Sequence, residues 1–184
     1  MKGERNLNLE EKTVSKHYIY NGKIINLRVD DALLPNGNAA KREVVEHPGG
    51  VGVLALDSDK NVFLVRQFRY PYSETVLEIP AGKKEHGEDP LVCGKRELKE
   101  ETGLTAKNYI SLGKIYPTPG YTNEVIDIFL ATDLSYGEKC PDEDEFLNVE
   151  KLPFNELLKL VEENKIPDSK TQIAVLKTAR VLRI

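Results

Sequence analysis

Between Gly82 and Leu104 a set of carboxylates and one guanidinium stand at intervals suited to chemistry on phosphates. The stretch reads GKKEHGEDPLVCGKRELKEETGL. Glu88 follows Gly82 after five intervening residues and Arg96 follows Glu88 after seven; Glu97, Glu100, Glu101, Gly103 and Leu104 complete the run. Asp89-Pro90 reads as a helix start, because Asp can accept from orphan backbone N–H groups and Pro suits a first position that needs none. Gly103 reads as the stop, suited to the left-handed conformation after the last turn. In a helix between them, Glu97 and Glu101 sit at i and i+4 with Glu100 beside them. Leu91 and Leu98 point elsewhere and are expected to face a core. Carboxylates on one arc repel by a few tenths of a kcal/mol per pair, which Lys95, Arg96 and Lys99 offset in part. Facing a cleft, the arc is best satisfied by a hard divalent cation such as Mg²⁺, which takes oxygen ligands and bridges to phosphates. The bland alternative is a solvated, charged surface helix. The fixed spacing of so many positions argues against it.

The elements that must carry this helix are legible along the chain. Residues 1–16 are polar and are expected to be frayed. His17–Tyr20, Lys23–Leu34 and Arg42–Glu46 read as strands, with turns at Asn21-Gly22 and Pro35–Asn38. They form a small antiparallel N-terminal sheet, too thin for a core of its own. His47-Pro-Gly-Gly50 breaks the pattern. Val51–Leu56 is nearly continuous apolar chain, expected to be buried on both faces. Asp57–Asn61 turns it into Val62–Val65, followed by Arg66 and Arg69, guanidiniums suited to bidentate phosphate contact. The plain alternative for either is a surface ion pair. Val76–Ile79, Tyr109–Tyr116, Glu124–Ala131 and Phe146–Val149 read as strands. Asp133–Glu145 reads as a polar loop carrying Asp142, Glu143, Asp144 and Glu145. Pro153–Asn164 reads as an amphipathic helix, and Ser169-x-x-Gln172 as the capping box of a last helix. The fold class is α/β (α+β), a mixed sheet between helices. The expected partition is a β-subdomain over 1–47 and a main domain over 48–184.

The chain has 184 residues and a net charge of −4, which speaks against a basic nucleic-acid-binding face. No apolar run approaches the roughly 18–20 residues a membrane span needs, and no signal-peptide core opens the chain. Cys93 and Cys140 lack metal-ligand spacing and read as reduced thiols of a cytoplasmic protein.

The full pattern G-x5-E-x7-R-E-U-x-E-E-x-G-U, with U aliphatic, resembles the motif of the Nudix hydrolases, which cleave a nucleoside diphosphate linked to another group. The resemblance implies the Nudix sheet-and-helix sandwich, with the motif as loop–helix–loop. Features outside the motif resemble the ADP-ribose pyrophosphatase branch. These are the N-terminal β-subdomain, Arg42-Glu-Val-Val-Glu-His-Pro-Gly-Gly, Arg66-Gln-Phe-Arg69-Tyr, Pro119 fifteen residues after Leu104, and the acidic loop at Asp142–Phe146. In that family picture Glu97, Glu100, Glu101 and the Ala81 carbonyl hold Mg²⁺ (or Mn²⁺). Gly82 and Gly103 shape the motif, and Glu88 and Arg96 brace it by a salt bridge. Arg69 contacts the diphosphate, and Glu124 the substrate near its terminal ribose or a metal-bound water. Arg42, with Ile25 and Arg28, reaches adenosine from the partner of a homodimer. Glu143 or Glu145 of the acidic loop orients or deprotonates water, Glu145 being favoured. The implied reaction is hydrolysis of ADP-ribose to AMP and ribose 5-phosphate. A hydrolase of another nucleoside diphosphate-sugar (ADP-glucose, GDP-mannose) is an alternative. So is a non-catalytic Nudix-fold nucleotide sensor, which would have no need of all three motif glutamates.

Overall fold

The first strands set up a pattern of pairing that the rest of the chain does not share. The computed structural model describes residues 8–137 and 146–183. By contacts the chain divides into two units, Met1–His47 with Thr118–Glu124, and Pro48–Pro117 with Val125–Ile184.

The first unit is a three-stranded antiparallel sheet in the order β1 (Lys12–Asn21), β2 (Asn26–Leu33), β3 (Ala39–Glu46). Strand β1 starts at Lys12, so residues 12–16 are ordered in the sheet rather than frayed. Apart from Val14 their side chains are polar, which hid the strand, because both of its faces are largely exposed. Val45 of β3 also pairs with the 118–124 segment: its N–H donates to the Tyr121 carbonyl at 2.8 Å, and its carbonyl accepts from Asn123 at 3.2 Å.

The second unit is a mixed sheet. Strands β4 (Gly50–Leu56), β5 (Asn61–Arg69), β6 (Glu74–Glu78), β7 (Ala81–Lys83), β8 (Leu104–Ile115), β9 (Ile126–Tyr136) and β10 (Leu147–Pro153) run in the path β10-β5-β4-β9-β8. Strand β6 adds to β5, and β7 to β4. Among the described residues the β4–β9 pairing is parallel and the other pairings in this sheet are antiparallel. Helix α1 (Pro90–Thr102) lies against one face, and α2 (Phe154–Glu162) and α3 (Ser169–Leu182) lie against the other. Strand β4 shows why this is a sandwich. Val51, Val53 and Ala55 pack with Cys93 and Leu98 of α1. The alternate residues Leu54 and Leu56 pack with Phe154 and Leu157 of α2 and Ala174 and Val175 of α3. A strand buried on both faces must be apolar at successive positions, and all of β4 is buried.

Several boundaries move from where the sequence placed them. Strand β8 begins at Leu104, directly after α1, and β9 continues to Tyr136, shortening the expected polar loop. Helix α2 spans Phe154–Glu162. The cap of α3 is Asp168, whose carboxylate accepts from the Thr171 N–H at 2.9 Å. Ser169 is instead the first helical residue, and Gln172 donates to the Ile166 carbonyl at 2.6 Å. A capping box needs its acceptor one position earlier than the hydroxyl at 169 provides, and Asp168 supplies it.

Candidate active site

Helix α1 is built by its ends. The Asp89 side chain accepts from the N–H groups of Leu91 at 2.9 Å and Val92 at 3.2 Å, and Pro90 follows as the first helical residue. Gly103 closes the helix at φ 74°, its N–H donating to the Lys99 carbonyl at 2.8 Å. The face turned to the sheet carries Cys93, Gly94 and Leu98, while Leu91 is only half-buried. A Cβ on Gly94 would stand 3.0 Å from Val51 and 3.1 Å from Val53, so the glycine lets α1 approach β4 closely. Burial pushes the Cys93 thiol up to about 12, with Glu88 and Glu97 adding to the shift. That is the state of an inert packing residue.

Two of the motif glutamates lie on the buried side. Glu97 is 6% and Glu101 2% exposed, whereas Glu100 is half-buried. Glu101 accepts from the Ala81 N–H at 2.9 Å. The backbone at Gly82 passes so close to Glu97 that a Cβ there would fall 2.0 Å from its carboxylate. The short β7 thus forms a cradle for both carboxylates.

Arg96 joins the rest of the motif. It donates from Nε and Nη2 to Glu88 at 3.1 and 3.0 Å. Its Nη1 donates to Glu97 at 2.7 Å and Glu100 at 3.0 Å, and Nη2 also donates to the Lys83 carbonyl at 3.2 Å. The Glu88 hydrogen bond, then the charge and hydrogen bond of Glu97 and the hydrogen bond of Glu100, raise its already high pKa against the effect of burial. In return, Arg96 holds the Glu88 carboxyl down to about 2, helped by the Glu85 N–H. Lys95 takes no part in this pairing; it sits 5.4 Å from the centroid of the Tyr109 ring.

A second charged set stands at the ends of β5 and β6. Arg69 grips Glu78 through Nε at 2.7 Å and Nη2 at 2.6 Å. Glu78 is 1% exposed and also pairs with Lys170 of α3. Lys170 reaches Asp168 at 2.9 Å. Burial pushes Glu78 up, but the hydrogen bonds from Arg69 and the charge of Lys170 outweigh it and hold the carboxyl below its usual value. The Glu78–Lys170–Asp168 set was not among the residues singled out from the sequence. The signal for it was a lone acid in the apolar run Val76-Leu-Glu-Ile79. Arg66 lies apart from this set in an ion pair with Glu150 across β5 and β10, the plain surface alternative.

The remaining candidates belong to the first unit. Arg42 forms a bidentate pair with Glu11 at 2.8 and 2.7 Å and stays well exposed. Arg28 pairs with the buried Asp30 and stands 2.8 Å from Glu46. Ile25 is 37% exposed. Glu124 lies 3.4 Å from Nδ1 of His47, and the backbone N–H of His47 donates to the Asn123 side-chain oxygen at 2.8 Å. Glu143 and Glu145 lie outside the described residues.

The motif residues fit a hard divalent cation in donor type, since Glu97, Glu100 and Glu101 are carboxylates gathered on one helix beside the β7 backbone. Arg96 now occupies the space between Glu97 and Glu100. Among the described residues, no group of three or more His, Cys, Asp or Glu side chains is arranged as a ready metal site.

Comparison with known proteins places this geometry. Residues 46–172 match the family described as NUDIX domain, and residues 11–45 the one described as nucleoside diphosphate sugar hydrolase N-terminal domain. The chain is 47% identical, over 91% of both chains, to an ADP-ribose pyrophosphatase of Bacillus subtilis. It is 44% identical to a methanol dehydrogenase activator of Bacillus methanolicus, over 90% of this chain and 91% of the other. A crystal structure of an ADP compounds hydrolase superposes with a TM-score of 0.84 at 21% identity, covering 98% of this chain and 97% of that one, a likeness of fold. Nudix hydrolases generally use a divalent metal. No helix among the described residues is long and apolar enough to cross a membrane. With the glutamate-bearing helix, its caps and the glycine cradle all formed by the matched residues, the chain belongs to the Nudix family of hydrolases.

Proposed function

We propose that this Nudix enzyme hydrolyses the diphosphate bond of ADP-ribose, taking up water to give AMP and ribose 5-phosphate, with Mg²⁺ or Mn²⁺ as its cofactor. The observation that carries the reading is the buried pair Glu97 and Glu101, held against Ala81 and Gly82 on a helix capped at both ends. The substrate is supported by the near-full-length likeness to an ADP-ribose pyrophosphatase.

Each residue has a definite task in this reading. Glu97, Glu100 and Glu101, with the Ala81 carbonyl, would hold the cation. When bound, the cation would neutralise the diphosphate, lower the pKa of an attacking water and stabilise the charge that develops. Arg96 and Glu88 set the orientation of Glu97 and Glu100 through their hydrogen bonds. Arg69 meets the diphosphate, for which a guanidinium is suited. Arg42, Arg28, Ile25 and Glu124 serve the nucleoside and ribose ends, the first three from the partner of a homodimer built on the N-terminal sheet. Glu145 or Glu143 takes the proton from water. The 1–47 and 48–184 segments would then divide the work into subunit exchange and hydrolysis, in a cytoplasmic enzyme.

The test is a substrate panel with Mg²⁺ and with chelator, resolving products from ADP-ribose, ADP-glucose, GDP-mannose, NADH and diadenosine polyphosphates. The expected result is metal-dependent release of AMP, with ADP-ribose the best substrate by kcat/KM. Glu101→Gln should fold and lose several orders of magnitude in kcat, as removal of a group acting on the transition state does. A better turnover of GDP-mannose would overturn the substrate, and full turnover by folded Glu101→Gln would overturn the metal assignment.

A further inference from the structure

We infer that Glu78 is a positioning residue for Arg69, itself fixed by Lys170 and Asp168 at the start of α3. The inference rests on the reading that Arg69 meets the diphosphate, and deepens it by assigning a role to Glu78, Lys170 and Asp168.

The geometry starts at Arg69. Nε and Nη2 form a side-on, two-bond grip on the Glu78 carboxylate at 2.7 and 2.6 Å. A bidentate pair of this kind fixes the plane of the guanidinium as well as its place. The third nitrogen, Nη1, donates to no partner among the described residues, and the side chain remains 38% exposed. One edge of Arg69 is therefore locked and the other presented. The charge of Glu101 also acts on Arg69, which places the guanidinium within electrostatic reach of the motif carboxylates.

The charges explain why the network extends to α3. Arg69 and Glu78 alone would be a neutral pair with little attraction for a diphosphate. Lys170 adds a second positive charge to the same carboxylate. Asp168, which holds Lys170 at 2.9 Å, is also the N-cap of α3, where its charge is offset by the positive end of the helix dipole, roughly half a unit charge. Lys170 and the helix end thus offset the two carboxylates of this set, and the presented edge of Arg69 stays cationic. Thr171 ties the assembly to the motif entrance: its hydroxyl accepts from the Ile79 N–H at 2.8 Å and donates to Asp168 at 2.5 Å. Ile79 is two residues before Ala81.

Stability alone is a poor reason for this arrangement. Buried ion pairs lose about as much to desolvation as they gain, and well-packed apolar side chains often replace them at no cost. Orientation of a charged group is a task that apolar packing cannot do.

The test is a double-mutant cycle in the full-length enzyme with Mg²⁺, on Arg69→Ala, Glu78→Gln and the double variant. It is read by kcat/KM for ADP-ribose, by melting temperature, and by calorimetric binding of the non-hydrolysable α,β-methylene analogue of ADP-ribose. Each single variant should lose about 10–100-fold in kcat/KM, the scale of a misplaced binding group. Analogue affinity should fall with it. The double variant should be no worse than Arg69→Ala, within about twofold, because Glu78 acts only through Arg69. Losses that multiply in the double variant overturn the inference while leaving the role of Arg69 intact. Wild-type kcat/KM in Arg69→Ala overturns that role, and the inference with it. If Glu78→Gln does not fold, Lys170→Met takes its place in the cycle with the same outcomes, since it removes the charge and keeps the stem.

Discussion

Gly82 shows how much one missing methyl group can decide. Its Cβ position lies 2.0 Å from the Glu97 carboxylate. An alanine there cannot coexist with Glu97 where it now stands, and the β7 backbone pairs with β4 and cannot easily retreat. Gly82→Ala should therefore fold, with a loss of about 1–3 kcal/mol from overpacking. It should lose about 100-fold or more in kcat, because catalytic groups displaced by about 1 Å lose on that scale. Thermal melting and steady-state kinetics on one preparation check this, and wild-type kcat would remove Glu97 from the machinery. Glu88 makes a prediction about pH. Arg96 holds its folded pKa at about 2, below the usual 4.5. The group is lowered in the folded state, so its stabilisation is complete above about pH 4.5 and is lost as pH falls toward 2. The stability gap between wild type and Glu88→Gln, followed by urea titration, should narrow over that window. An unchanged gap from pH 6 to pH 3 contradicts the pairing. At this scale the spacing of Glu88, Arg96, Glu97, Glu100 and Glu101 was fully legible. The Glu78–Lys170 contact was not, because it joins residues 92 apart that no local period relates.

Helix α1 is the element most completely specified by its own sequence. Asp89, Pro90 and Gly103 lie where the orphan N–H groups and the left-handed closing residue require them. Removing the Asp89 carboxylate leaves the Leu91 and Val92 N–H groups without that acceptor. Asp89→Ala should cost about 1 kcal/mol, a fall of about 2–4 °C in Tm for a protein of this size. The kcat should be nearly unchanged, because the glutamates lie in the later turns. A calorimetric scan beside an activity assay checks both halves, and a Tm equal to wild type would deny the cap its role. Other elements were less legible for stated reasons. The first residues of β1 are polar apart from Val14 and exposed on both faces, so no alternation marked them. Both Asp168 and Ser169 are good caps by type, and only the position of the Thr171 N–H decides between them.

For the whole molecule, the two units differ in how they are held. The second has apolar clusters on both faces of its sheet. In the first unit, Ala32 is the only buried hydrophobic residue among those described, while Val14, Ile19 and Tyr20 are 62%, 63% and 57% exposed. A three-stranded sheet needs a hydrophobic face covered to persist in water. The proposed homodimer would supply that cover. Stable interfaces bury roughly 1,200–2,000 Å² in total, and exposed aromatic and branched residues on a sheet are what such an interface draws on. Sedimentation should accordingly give about twice the chain mass of 20.7 kDa. Val14→Glu with Ile19→Glu should shift the protein to monomer and raise KM for ADP-ribose, with the melting of the second unit preserved. A wild-type monomer at micromolar concentration with full activity would remove both the dimer and the partner role of Arg42. A dimer that persists in the double variant at full activity would place the interface on another surface.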